Sequence, residues 1–104
     1  MITYEVNLTI DNEIFDDYYH WLVEHANKML QFDGFISAEI AKEKIAEESN
    51  QTKMTARYAL DSEESLNNYL THFAASMRED GMKRFGNKFV ATRRILVEPL
   101  KLGE

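Results

Sequence analysis

Histidine, tryptophan, tyrosine and arginine are the side chains whose spacing could support chemistry in this 104-residue sequence, which has three His, five Tyr, one Trp and no Cys. The lack of cysteine excludes thiolate nucleophiles, zinc-thiolate sites and iron-sulfur clusters. His25 follows Trp21 by four positions and Tyr18 by seven, so all three share a face if the segment is helical. Buried beside aromatic rings, an imidazole loses proton affinity and stays neutral near pH 7, able to act as a base or a hydrogen-bond donor. The plainer alternative is a core histidine satisfied by a backbone carbonyl or a tyrosine hydroxyl. Tyr4 and Tyr58 fall within two alternating apolar rows, and Tyr18 and Trp21 would come down onto them. Four amphipathic rings around one imidazole could line a pocket for a flat aromatic or polyketide-like ligand, although core packing accounts for the same rings.

Arg93 and Arg94 are adjacent, so on a strand they point to opposite faces, and one of them must meet the interior. A buried guanidinium requires an acceptor: Glu5 is one candidate, a ligand carboxylate or phenolate another. That places Arg93 among the candidate ligand-binding residues with Tyr4, Tyr18, Trp21 and Tyr58, and His25 as the candidate catalytic group. His20 and His25 lie about 140° apart around a helix and cannot share a metal. His72 reads as a surface residue. With no glycine-rich phosphate loop, no metal-ligand spacing and no defensible Ser-His-Asp order, neither a metal nor a cofactor is expected.

The elements that must position these groups follow from periodicity. Residues 2–10 alternate as a half-buried strand, with Ile2, Tyr4, Val6, Leu8 and Ile10 on one side and Thr3, Glu5, Asn7 and Thr9 on the other. Asp11 or Asn12 then offers an N-cap, and an apolar stripe from Ile14 through Tyr18, Trp21, Leu22, His25 and Met29 predicts a helix over about 12–31. After the Asp33-Gly34 turn, residues 35–46 read as a second strand fraying at Lys42 and Lys44, a loop covers 47–52, and Met54 to Leu60 complete a hairpin. Asp61 and Glu64 form a capping-box pattern for a second helix over about 62–78, with Gly81 breaking or kinking it before Phe85. Phe85-Gly86 makes a tight turn, and residues 89–98 form the last strand, stopped by Pro99. The order βαββαβ implies an α+β ferredoxin-like plait: one domain over 1–104, a four-stranded antiparallel sheet and both helices on one face. The other face is mixed in polarity, which suits a second sheet laid across it.

Charge narrows the partners. The net charge is -6, distributed as -9 over residues 1–77 and +3 over residues 78–104. An acidic body opposes nucleic acid and anionic lipid, while a basic end suits docking to a second copy or to a small anion. The basic and aromatic run from Lys83 to Val90 has a superficial likeness to an RNA-recognition strand, yet the open face of the first strand carries no stacking aromatics, so RNA is not expected. No apolar run reaches membrane-spanning length, and the chain starts directly in a strand pattern with no leader, so a cytoplasmic protein is expected.

Three stretches, Met1-Ile2-Thr3-Tyr4-Glu5-Val6, Trp21-Leu22-Val23-Glu24-His25 and Lys83-Arg84-Phe85-Gly86-Asn87-Lys88-Phe89-Val90-Ala91, resemble the bacterial domain-of-unknown-function family DUF4286. One departure is Asn27, where the resembled proteins often carry proline. The resemblance implies membership of the dimeric α+β barrel superfamily, in which two plaits oppose their sheets. That superfamily includes cofactor-free monooxygenases, polyketide cyclases and haem-dependent enzymes, with many proteins of no assigned activity. The expectation is a homodimer with a small hydrophobic or aromatic ligand between the first helix and the sheet, and monooxygenase- or cyclase-like chemistry at His25. The alternative is a non-catalytic dimeric module without a ligand site.

Overall fold

The computed structural model describes residues 1–44 and 48–103. Strand β1 spans Ile2–Asp11, helix α1 Phe15–Met29, β2 Phe35–Lys42, β3 Gln51–Leu60, α2 Glu63–His72, α3 Ala74–Phe85 and β4 Phe89–Val97, with short 3-10 turns at Asn12–Ile14 and Gly86–Lys88. The strands form one antiparallel sheet in the order β2-β3-β1-β4, with the helices on one face, which is the expected plait. The central strand β1 sets Tyr4 opposite Tyr58 on β3, and Glu5 opposite both Arg57 on β3 and Arg94 on β4.

The alternation of β1 sends Ile2, Tyr4, Leu8 and Ile10 into the core beneath the helices, where Met54, Ala56, Tyr58 and Leu60 of β3 join them. Tyr18, Trp21, Leu22, Ala26 and Met29 form the buried stripe of α1, while Leu66 and Tyr69 do the same for α2. Two buried clusters result, one where the C-terminal end of α1 meets α2 and the start of α3 over the sheet, the other beneath the first half of α1, and Val6 and Ile40 pack against both.

Several boundaries differ from expectation, each for a local reason. The first helix starts as a 3-10 turn, because Asn12 does not cap it: its amide donates to the Ser49 carbonyl (2.8 Å) and its Oδ1 accepts from the Thr52 hydroxyl (2.6 Å). The β3 strand begins at Gln51, three residues early, its end fastened by the same contacts. Residues 45 and 46, the expected end of the second strand, lie outside the described residues. The cap of α2 is Ser62, whose hydroxyl accepts from the Ser65 amide, with Asp61 accepting from the Ser65 hydroxyl.

The second helix breaks at Phe73 rather than at Gly81. Phe73 leaves helical geometry (φ -126°, ψ -25°) and its ring stacks on Phe32 at 4.7 Å. Gly81 stays inside α3 and is buried; a Cβ there would lie 2.8 Å from the Trp21 ring. Its role is close approach between α3 and α1, not termination. Gly86 does make the expected turn, at φ +56°.

The sheet face away from the helices carries Thr3, Glu5, Asn7 and Thr9 from β1, flanked by Arg57 and Thr55 of β3 and by Val90, Thr92, Arg94 and Leu96 of β4. Glu5 is only 2% exposed, although no helix covers it, because Arg57 and Arg94 close over it from either side. Those guanidiniums hold its carboxyl below the ordinary range, Arg94 most strongly, against the opposing effect of burial.

Candidate functional site

All six residues singled out from the sequence, Tyr4, Tyr18, Trp21, His25, Tyr58 and Arg93, line one cavity between the helices and the sheet. The β1-β3 register sets Tyr4 opposite Tyr58, their rings tilted by 31° with centroids 6.1 Å apart. From above, α1 lowers Tyr18, Trp21 and His25 at helical spacing, with Tyr18 and Trp21 centroids 5.4 Å apart. Phe89 lines the cavity beside Tyr18, and the Phe85 ring packs behind it, each 5.0 Å from the Tyr18 ring.

The cavity measures about 40 Å³. A void that holds benzene is on the order of 150 Å³, whereas a water requires roughly 10–15 Å³, so the closed site accommodates water but no ring. A second hollow of about 200 Å³ lies outside it between α1 and α3, bordered by Glu24, Lys28, Met77 and Arg84. Trp21 and His25 line both spaces and form the partition between them.

That partition is organised by stacking and one hydrogen bond. The His25 ring lies on the Trp21 ring at 4.6 Å and 22°. The Trp21 indole donates to Asp80 Oδ2 at 2.7 Å, and this bond, together with Arg84 at 3.5 Å, holds Asp80 below the ordinary carboxylate range. Burial pushes His25 down to about 4; Asp80 opposes the shift, while Lys28 and Arg93 reinforce it. The imidazole is therefore neutral at pH 7. Burial also raises the phenols of Tyr18 and Tyr58 above their usual value and pushes Tyr69 up to about 12. These three phenols keep their protons at pH 7 and can donate them in hydrogen bonds.

The two neighbouring arginines divide as the alternation of a strand requires. Arg94 lies on the open face with Glu5, and Arg93 lies on the helix face, opposite Val6 and at the rim of the cavity.

Arg78, Asp80 and Tyr69 belong to the same site, and neither Arg78 nor Asp80 was anticipated from the sequence. Arg78 donates through Nη2 to the Tyr4 hydroxyl at 2.9 Å, while its Nε is buried without an acceptor. A buried donor left unpaired costs roughly 1–3 kcal/mol. The signal for Arg78 was the stripe Ala74, Arg78, Gly81 and Phe85 at spacings of four, three and four, which disappears when Gly81 is taken as a helix breaker.

The sequence profile of the domain of unknown function DUF4286 matches residues 1–99. The chain belongs to the DUF4286 family. No curated protein sequence matches it. Solved structures extend the likeness of this DUF4286 chain at the level of fold. A proposed antibiotic biosynthesis monooxygenase from Deinococcus radiodurans is similar at TM-score 0.71 and 14% identity, over 100% of both chains. SnoaB, a cofactor-independent oxygenase from Streptomyces nogalater, gives 0.69 at 11% identity, over 99% of this chain and 98% of that one. An ethyl tert-butyl ether D family protein from Bacillus halodurans gives 0.63 at 24% identity, over 95% of this chain and 100% of that one. No helix among the described residues is long and apolar enough to cross a membrane.

Proposed function

We propose that this DUF4286 protein is a cytoplasmic homodimer in which a second copy covers the open sheet face. Each copy binds a small aromatic or hydrophobic ligand at the cavity beneath α1, and His25 exchanges a proton with it in cofactor-free chemistry. The observation that carries this reading is the convergence of six aromatic side chains, one neutral imidazole and two guanidiniums on a single space. The likeness of fold to a cofactor-independent oxygenase supports the class of chemistry.

The ligand reaches the site when the Trp21-His25 partition turns out into the groove between α1 and α3, joining the two spaces. His25 then accepts a proton from a ligand hydroxyl or activated C–H, and the ligand anion so formed faces Arg93. In the empty site the imidazole is a weak base; negative charge developing beside it raises its proton affinity, so transfer becomes favourable only with ligand in place. The small closed volume favours a second reading, a dimeric module in which the same rings are core.

The indole N–H resonance of Trp21, the only tryptophan, separates the two. Titration with 2-naphthol is expected to move that resonance in the wild type, and H25A is expected to weaken binding with its melting temperature retained. A lower melting temperature with no change in 2-naphthol binding overturns the site in favour of core. Sedimentation giving a monomer at micromolar concentration overturns the dimer.

A further inference from the structure

The geometry points to a ligand that carries a carboxylate on its apolar ring, seated on the unpaired Nε–H of Arg78 and the hydroxyl of Tyr4. This rests on the reading that the cavity binds a ligand at all, and it specifies which end of the ligand goes where.

A guanidinium presents Nε–H and one Nη–H along a single edge, spaced for the two oxygens of a carboxylate. On Arg78, the Nη2 side of the group is taken by the Tyr4 oxygen at 2.9 Å. The Nε side has no acceptor among the described residues and is covered in the closed form, so an incoming oxygen meets it only as the site opens. A tyrosine hydroxyl that accepts from Arg78 retains its own proton to donate onward. An oxygen placed against Nε–H therefore has two donors within reach, Arg78 and Tyr4.

Charge around the cavity agrees. Arg78 and Arg93 both line it, no carboxylate does, and among the described residues neither arginine takes part in an ion pair. The acids that could neutralise them are committed elsewhere: Glu5 lies on the opposite face beneath Arg57 and Arg94, and Asp80 is held by Trp21 and Arg84. In a chain with a surplus of six acids, the charged residues lining this chamber are nevertheless the two arginines. An apolar anion supplies what that wall lacks, its ring against Tyr58 and Trp21 and its charge at Arg78.

The test compares benzoate with benzamide, a neutral probe of nearly the same shape, on the Trp21 indole resonance of the full-length protein at pH 7.5. Wild type is expected to bind benzoate about tenfold more tightly than benzamide, and R78M to bring that ratio to about one while leaving benzamide affinity within about twofold. R78K, which keeps the charge without the Nε–H, is expected to lower the ratio by at least about threefold, and it decides the matter if R78M does not fold. Equal binding of both probes by the wild type, or an unchanged ratio in R78M or R78K, overturns the carboxylate assignment and leaves the pocket standing. No response to either probe overturns both.

Discussion

Arg93 and Arg94 are chemically identical neighbours on β4 with opposite surroundings. Arg94 sits on the open face against Glu5, a carboxylate already enclosed by Arg57; Arg93 lies on the helix face opposite Val6, at a cavity that it lines with aromatic rings and a second arginine. One face of the sheet has balanced its charge within the chain, and the other has left cations facing a small void. The difference separates two uses of an ion in a fold: an internal pair that fixes strand register and surface, and an unmatched charge available to something from outside.

Substitutions can break this comparison in order of effect. Replacing both partners of Glu5, R57L with R94L, strips the carboxylate of its cover together with both counter-charges and is expected to lower the urea midpoint more than any single substitution below. Protonation provides the next largest effect. His25 has a folded value of about 4 against an ordinary 6.5, so between those pH values the unfolded chain binds a proton that the folded one does not. Stability from this group is complete above pH 6.5 and is lost as pH falls to 4, by roughly 3 kcal/mol. H25F is expected to remove that slope in melts taken from pH 7 to 5. The lowered value of Glu5 adds a loss in the same direction, beginning only below its ordinary value of 4.5.

G81A sharpens the helix side of the comparison. Its Cβ would meet Trp21 at 2.8 Å; overpacking of about 1–3 kcal/mol outweighs roughly 1 kcal/mol gained in helix propensity, for a net loss of about 1 kcal/mol. Smallest of all, R93L is expected to change stability by less than about 0.5 kcal/mol, since no partner is lost. A large destabilisation by R93L in the same denaturation experiment would erase the contrast between the two arginines.

Much of this was legible in the letters. The alternation of residues 2–10 and the stripe from Tyr18 to Met29 fix which rings meet, because strand and helix periods leave little choice, and the order βαββαβ then brings β1 beside β3. The adjacency of Arg93 and Arg94 guaranteed a split between faces without revealing which went where, since that depends on the phase of β4 against β1. Two things were hidden. Arg78 is a polar residue in an apolar stripe whose phase changes at Phe73, where tertiary stacking on Phe32 overrides helix propensity. The volume of the cavity is a residue of packing, a difference between large filled spaces that no pattern of residue types records.

The interruption at Phe73 makes the upper layer two rods instead of one. The first is anchored by the fully buried Leu66 and Tyr69, whereas the fully buried residues of the second are the small Ala74 and Gly81, and its larger apolar side chains, Met77 and Phe85, are only partly buried. Such a rod is a natural unit of local unfolding, and its amides are expected to exchange hydrogen well before those of the first. Trp21 and His25 belong to α1, but the indole is latched to this second rod through Asp80, so loosening the rod frees the latch while the sheet and its central strand stay intact.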